Sequence, residues 1–420
     1  MAPYETDDTA GAPQGEQPRS RRRAARYVVP VAVVGVAAGT IGLVPALANS
    51  GDPDLPKISA QQLIEKMATS DVQELSGTVR ISTDLGLPDL GGLADGMTSG
   101  AGRGGDGSSA DPAQHLTELA SGTHTLRVAA DGPERQKLSL LEKGAEYSVI
   151  HNGKDVWGYD SKTNQVFHRA DAHPGDRQRD ESRGTPDDFA KEALKRVDST
   201  TAVTVDGTAQ VAGRDAYKLQ IKPKQSGSTV GAITIAVDAK NYAPLKFTLT
   251  PSSGGAAVLD AGFTQVSFAK PSASTFDFTP PKGAKVTEGG QGDSGHHDSS
   301  GKGDGSARPD TSASGDDQFM NPAEGFTHGM KGGKVIGKGW NAVATFDTGS
   351  KNGLPSASAS GDAGGFLNSL GQPVSGTFGK GTVYSTRIVN ALVTDDGKVY
   401  VGAVTKDALV KTANTANTAG

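Results

Sequence analysis

Eight histidines and no cysteine limit the chemistry open to this 420-residue chain. Without a thiol there can be no disulfide, thiolate metal site or thiol nucleophile, and no cysteine to carry a lipid anchor. His115, His124, His151 and His168 are scattered without metal-ligand spacing and read as surface or edge histidines. His296-His297 lies in a polar stretch and reads as a solvated pair. No G-x-S-x-G nucleophile elbow is present. Gly337-Lys338-Gly339-Trp340-Asn341-Ala342 fits G-x-G-x-x-A, but it sits in a strand pattern with no helix after it, so it is not a dinucleotide fingerprint. Asp187-Asp188 opens a helical pattern, where carboxylates complement the helix dipole. We therefore expect no enzyme, no metal and no cofactor.

The remaining chemistry is apolar. One face of a curved sheet would collect Val79, Ile81, Leu126, Val128, Leu138, Leu140, Tyr147, Val149, Leu219, Ile221, Ile233, Ile235, Phe247 and Leu249. Helical residues Leu63, Met67, Phe189 and Leu194 would face them. Each methylene that such a surface removes from water contributes about 0.8 kcal/mol, so an acyl chain of a dozen carbons is a sufficient ligand. A dry, filled core is the alternative reading of the same residues. Trp157 and Tyr159 are placed at the rim, where amphipathic rings suit a half-wet position.

The elements that must position these residues follow from periodicity. Ser59 with Gln62 forms a capping-box pattern ahead of the stripe Leu63, Ile64, Met67 and Ala68. Leu75, Gly77, Val79 and Ile81 then alternate with polar residues, as in a half-buried strand. Residues 85–110 are a Gly-rich insertion carrying Leu87, Leu90, Leu93 and Met97. A meander comes next, near 123–130, 135–142, 145–151, 155–160 and 165–169, with Asn152-Gly153 as a hairpin dipeptide. Pro186 starts a second helix, and strands resume near 202–206, 209–212, 215–222, 229–238, 243–250 and 261–268. With so many strands and so few helices, the sheet should be antiparallel. The expected fold is α+β: an open antiparallel half-barrel of roughly ten to twelve strands with helices covering its mouth, plus a small, mostly-β C-terminal module.

Composition and charge divide the chain. Residues 1–26 form a basic leader expected in the cytoplasm; 27–48 are an apolar run that serves as a cleaved signal or a retained anchor. Ala46-Leu47-Ala48 fits a cleavage site, while the length of the run suits a spanning helix. Either way, the chain beyond residue 48 is expected to be exported, held at the extracytoplasmic face of the membrane or secreted. Residues 57–287 hold the half-barrel, 288–318 are a Gly/Ser/Asp-rich flexible linker, and 319–410 are the small β module, with a polar tail from 411. A net charge of −5 with no basic aromatic stripe excludes nucleic acid as a partner.

Three features together resemble the LolA-like lipoprotein-carrier superfamily, which includes LolA, RseB/MucB and actinobacterial lipid-binding lipoproteins. They are the amphipathic helix before a strand; the meander with Asn152-Gly153-Lys154-Asp155-Val156-Trp157-Gly158-Tyr159-Asp160; and Asn241-Tyr242-Ala243-Pro244-Leu245-Lys246-Phe247 leading to Phe276-Asp277-Phe278-Thr279-Pro280-Pro281-Lys282-Gly283. The resemblance covers about residues 57–286. It implies a carrier for an acyl lipid or lipoprotein at the cytoplasmic membrane. As the runner-up it implies an RseB-like lipid-sensing regulator of a membrane-bound, anti-sigma-type partner engaged through the C-terminal module. A structural envelope protein is the third possibility. The chain departs from the family in lacking a lipobox cysteine, in the 85–110 insertion and in the C-terminal module, where no family motif is found.

Overall fold

The computed structural model describes residues 52–86, 110, 119, 121–170, 185–195, 197–289, 333–348 and 371–418. The leader, the apolar run 27–48, most of the 85–110 insertion, residues 290–332 with all but the first two positions of the 288–318 linker, and His115, His296 and His297 lie outside the described residues. Among the described residues no helix is long and apolar enough to cross a membrane.

Helix α1 (Ala60–Ala68) begins with the expected capping box. The Gln62 amide donates to Ser59 Oγ at 3.2 Å and the Ser59 amide to Gln62 Oε1 at 3.1 Å. Its stripe turns Leu63 inward, fully buried. Strands β1 (Glu74–Thr83), β2 (Gly122–Asp131), β3 (Arg135–Leu141), β4 (Glu146–Asn152), β5 (Asp155–Asp160) and β6 (Gln165–Arg169) then form the meander. Asn152-Gly153 turns between β4 and β5, with Gly153 in the left-handed region at φ 66°, which a side chain would disfavour.

Helix α2 (Pro186–Lys195) starts with proline in its first turn, where the missing amide hydrogen costs nothing. Strands β7 (Thr201–Val211), β8 (Arg214–Pro223), β9 (Val230–Asp238), β10 (Pro244–Pro251) and β11 (Leu259–Ser267) come after it. The two short strands expected at 202–206 and 209–212 are one strand, β7, with a register shift between Val205 and Thr208. Strand β12 (Lys285–Glu288) completes a 12-stranded sheet in the order β12-β6-β5-β4-β3-β2-β1-β11-β10-β9-β8-β7. The sheet is open: β12 and β7 are its edges. Every pairing is antiparallel except one, since β12 runs parallel to β6. That corrects the all-antiparallel expectation. The reason is the connection after β11, which crosses from the middle of the sheet to its far edge instead of turning back as a hairpin.

The C-terminal module is a second sheet. Strands β13 (Lys334–Ile336), β14 (Val343–Asp347), β15 (Gly371–Gly376), β16 (Gly379–Ser385), β17 (Asn390–Thr394) and β18 (Lys398–Gly402) lie in the order β13-β14-β18-β17-β16-β15. Gly337 and Gly339, both at positive φ, belong to the turn and short 3-10 segment between β13 and β14. The expected polar tail is instead helix α3 (Lys406–Thr418). Leu409 and Ala413, one helical turn apart, are fully buried against Val343, Leu392 and Tyr400, which is why that segment folds despite its polar composition.

Candidate functional site

All eighteen candidates, fourteen on the sheet and four on helices, fall in one hydrophobic cluster or pack against it. Register explains how. Val79 pairs with Leu126, Leu126 with Leu140 and Leu140 with Tyr147, so alternate residues of β1–β4 share a face. On the other half of the sheet, Leu219 pairs with Ile235 and Ile235 with Phe247. Leu63, Val79, Leu126, Leu219, Ile221, Ile235 and Phe247 are completely buried. Met67, Val149, Phe189 and Leu194 are half-buried and pack against the same cluster.

Both helices sit over one half of the sheet. α2 lies against β9–β11 and α1 against β7. What the expected mouth cover amounts to is this placement. The Phe189 ring meets Phe247 at 5.4 Å between centroids. The start of α2 is tied by Thr185, which donates to Asp188 Oδ2 from its amide at 3.0 Å and from its hydroxyl at 2.6 Å. Burial pushes the Asp188 carboxyl above its ordinary value, against the pull of those bonds.

Trp157 and Tyr159 are not at a rim. Alternation along β5 puts them on the outer face, opposite Val156 and Gly158. There Phe278 packs on both rings, at 5.5 and 5.7 Å. The crossing segment between β11 and β12 thus covers this part of the outer face, and Phe276 within it is fully buried. Ser139, Ser148 and Ile150, also outward, are buried too. The rim expectation failed because the cover comes from more than a hundred residues downstream in the sequence.

The described histidines fill structural roles. His168 stacks on Trp157 at 3.7 Å, with Asp155 Oδ1 2.9 Å from Nε2 and Glu288 Oε2 2.8 Å from Nδ1. His124 and His151 bond to the nearby carbonyls of Ser121 and Gly153. No group of three or more acidic or histidine side chains among the described residues could hold a metal.

Sequence reading missed how the module docks. Ser228 bridges Val404, the Thr229 amide donates to the Ala403 carbonyl at 3.0 Å, and the Thr229 hydroxyl donates to the Ile388 carbonyl. Ile388, on the loop after β16, is buried in the half-barrel's own cluster. Beside it Arg387 donates to Asp84 Oδ2 at 2.7 Å and to the Ala256 carbonyl. Trp340 Nε1 donates to Thr201 Oγ1 at 2.9 Å. Gly339 approaches so closely that a Cβ there would lie 2.4 Å from Thr200 Oγ1. Gly339-Trp340-Asn341, read from sequence only as a failed nucleotide motif, is a docking turn.

No protein-family model matches the chain, and no curated protein matches it. Among solved structures, an uncharacterised conserved protein from Thermus thermophilus is similar at 13% identity and a TM-score of 0.30, covering 55% of this chain and 98% of its own. The MucA/MucB complex of Pseudomonas aeruginosa is similar at 15% identity and a TM-score of 0.36, covering 84% of this chain and 96% of that one. A LolA superfamily protein from Nitrosomonas europaea is 11% identical with a TM-score of 0.21, covering 53% of this chain and 99% of its own. Solved structures similar to this chain thus include a MucA/MucB complex and a LolA superfamily protein.

Proposed function

We propose that the chain is an extracytoplasmic acyl-lipid or lipoprotein binder that takes an acyl chain non-covalently against the inner face of its open sheet. The observation that carries this reading is the gathering of all eighteen apolar candidates into one cluster bounded on one side by two short helices. α2 is the element to move. It is ten residues long, and its Phe189 and Leu194 are only half-buried on the sheet. Its displacement would open apolar surface over β9–β11, and no covalent step is needed. Membrane attachment would come from 27–48, or the chain would be released by a cut near Ala48.

A second reading is a lipid sensor that signals to a membrane-bound partner through the C-terminal module. It is favoured by Ile388, which places the module in the same cluster that a ligand would enter. A ligand that shifts this cluster would bear on the module directly.

The test uses the full chain from its source membrane fraction, analysed by native mass spectrometry with lipid extraction, then offered a diazirine-bearing fatty acid. The expected result is a retained acyl ligand and photolabel on 185–195, 231–238 and 244–250. An apo mass that stays apo, or label confined to 27–48, would replace the reading with a structural protein whose core is filled.

A further inference from the structure

At the border of the hydrophobic cluster, a cleft of about 500 Å3 opens where the arm before α1 passes the β9–β10 turn. Its floor is apolar and aromatic, from Leu55, Ile58, Tyr217 and Tyr242, and two lysines, Lys57 and Lys66, stand on it. The volume is in the range of small-ligand sites.

Two features distinguish this cleft from an ordinary surface dent. Tyr242 has φ 61°, a left-handed backbone that a bulky residue rarely adopts, and such outliers persist only where surrounding structure holds them. Here it is held firmly. The Tyr242 amide donates to the Asp238 carbonyl at 3.1 Å, and the amides of Lys240 and Asn241 donate to the Asp238 carboxylate at 2.9 and 3.0 Å. Ser70 Oγ donates to the Asn241 carbonyl at 2.7 Å, tying the turn to the end of α1. The outcome of this bracing is a tyrosine ring presented to the cleft.

The second feature is an excess of positive charge. Neither Lys57 nor Lys66 forms an ion pair among the described residues; Lys66 Nζ lies 4.6 Å over the Tyr242 ring instead. Glu65 also lines the cleft; it accepts from the neutral Gln61 Nε2 at 2.9 Å and keeps its negative charge, so the two lysines leave the lining with one net positive charge. Tyr217 is nearly buried and donates its hydroxyl to the Pro56 carbonyl at 3.0 Å, which fixes the arm as one wall. Burial, then the nearby Tyr242, raises its phenol above the ordinary value, so the hydroxyl stays protonated.

We propose that this cleft binds an amphiphile with a phosphate or carboxylate head. Lys57 and Lys66 hold the head by charge-assisted hydrogen bonds, and its apolar body lies on Leu55, Ile58 and the two tyrosine rings. None of these residues belongs to the eighteen on the inner face. The cleft adjoins the inner face, since Tyr217 belongs to the same cluster and Leu55, Ile58 and Tyr242 pack against it, and the two sites are told apart by which residues a ligand protects or labels.

The experiment takes the full chain in phosphatidylcholine nanodiscs and reads amine acylation at each lysine by mass spectrometry. Decyl phosphate, decanol and inorganic phosphate are titrated separately, with exposed Lys240 as the control. Decyl phosphate is expected to protect Lys57 and Lys66 saturably, about tenfold more tightly than either decanol or inorganic phosphate, while Lys240 is unchanged. By calorimetry, the double variant Lys57→Gln/Lys66→Gln should bind decyl phosphate about tenfold more weakly at unchanged Tm. In nanodiscs containing phosphatidylglycerol and no added amphiphile, protection would assign the ligand to the bilayer; protection by decyl phosphate alone would assign it to solution. Equal protection by decanol, or full affinity in the double variant, would overturn the proposal. Photolabel on 185–195, 231–238 and 244–250, a set that leaves out the cleft residues Ala239 and Tyr242, reads the inner face alone, so the two site assignments are judged separately.

Discussion

At the scale of single residues, the most consequential polar contact is Arg214 with Asp238. The Asp238 side chain is 1% exposed, and Arg214 Nη2 donates to its Oδ1 at 3.0 Å while Nε donates to Oδ2. Burial alone would raise this carboxyl. Hydrogen bonds from Arg214 and from the Asn241 and Lys240 amides outweigh burial and hold it below its ordinary value of 3.8. A depressed folded-state value means that the stabilisation is present above pH 3.8 and is lost as pH falls through the folded-state value. Arg214→Leu leaves the carboxylate buried without its partner and is expected to cost roughly 3–5 kcal/mol in denaturant unfolding at pH 7. The gap between variant and parent should shrink as both are taken below pH 3.8, where the unfolded chain binds a proton at Asp238 and the folded parent does so only at lower pH. An unchanged unfolding midpoint at pH 7 would show that the pair contributes nothing net.

At the scale of elements, the crossing segment between β11 and β12 has a part that its composition does not suggest. Phe276 is fully buried, and Phe278 lies against Trp157 and Tyr159 on the outer face of β5. Phe276→Ala is expected to destabilise the protein by about 3–5 kcal/mol, measured by thermal or denaturant unfolding. Phe278→Ala should wet Trp157 and red-shift its emission, read in a Trp340→Phe background because the chain has two tryptophans. Emission that does not move would mean that another group covers the indole. For α1, Ser59→Ala removes the capping oxygen and should cost about 1 kcal/mol, seen as faster hydrogen exchange across Ala60–Ala68.

At the scale of the molecule, the two sheets belong to one compact unit that begins at Asp52. The adjacent pair Arg387 and Ile388, on Asp84, Ala256 and the half-barrel cluster, and Trp340 on Thr201 fasten them at two separated points. Calorimetry of the parent protein is therefore expected to give one unfolding transition for the described sheets. Ile388→Asp, which puts a charge into that cluster, should split it into two or lower it as a whole. A parent that already melts in two steps would show that the docking is too weak to couple the sheets.

Much of this architecture was legible in local pattern. Period-two alternation gave nearly every strand of the large sheet, the Ser59–Gln62 pair marked the start of α1, and the shared face of Val79, Leu126, Leu140 and Tyr147 followed from parity once the hairpins were known. These features depend on neighbours a few residues apart or on hairpin partners, so the sequence contains them. The parallel β12–β6 pairing, the cover over Trp157, the docking of Ile388 and Trp340, and the cleft beneath Tyr242 join segments separated by tens to hundreds of positions. No periodicity encodes such a meeting. α3 belongs with them, because alanines and threonines carry little apolar signal and that helix is held by the sheet it packs on. Sequence determined which residues would be apolar on one face; only the tertiary structure decided what covers each face, because burial on the outside of a sheet depends on where a distant segment returns.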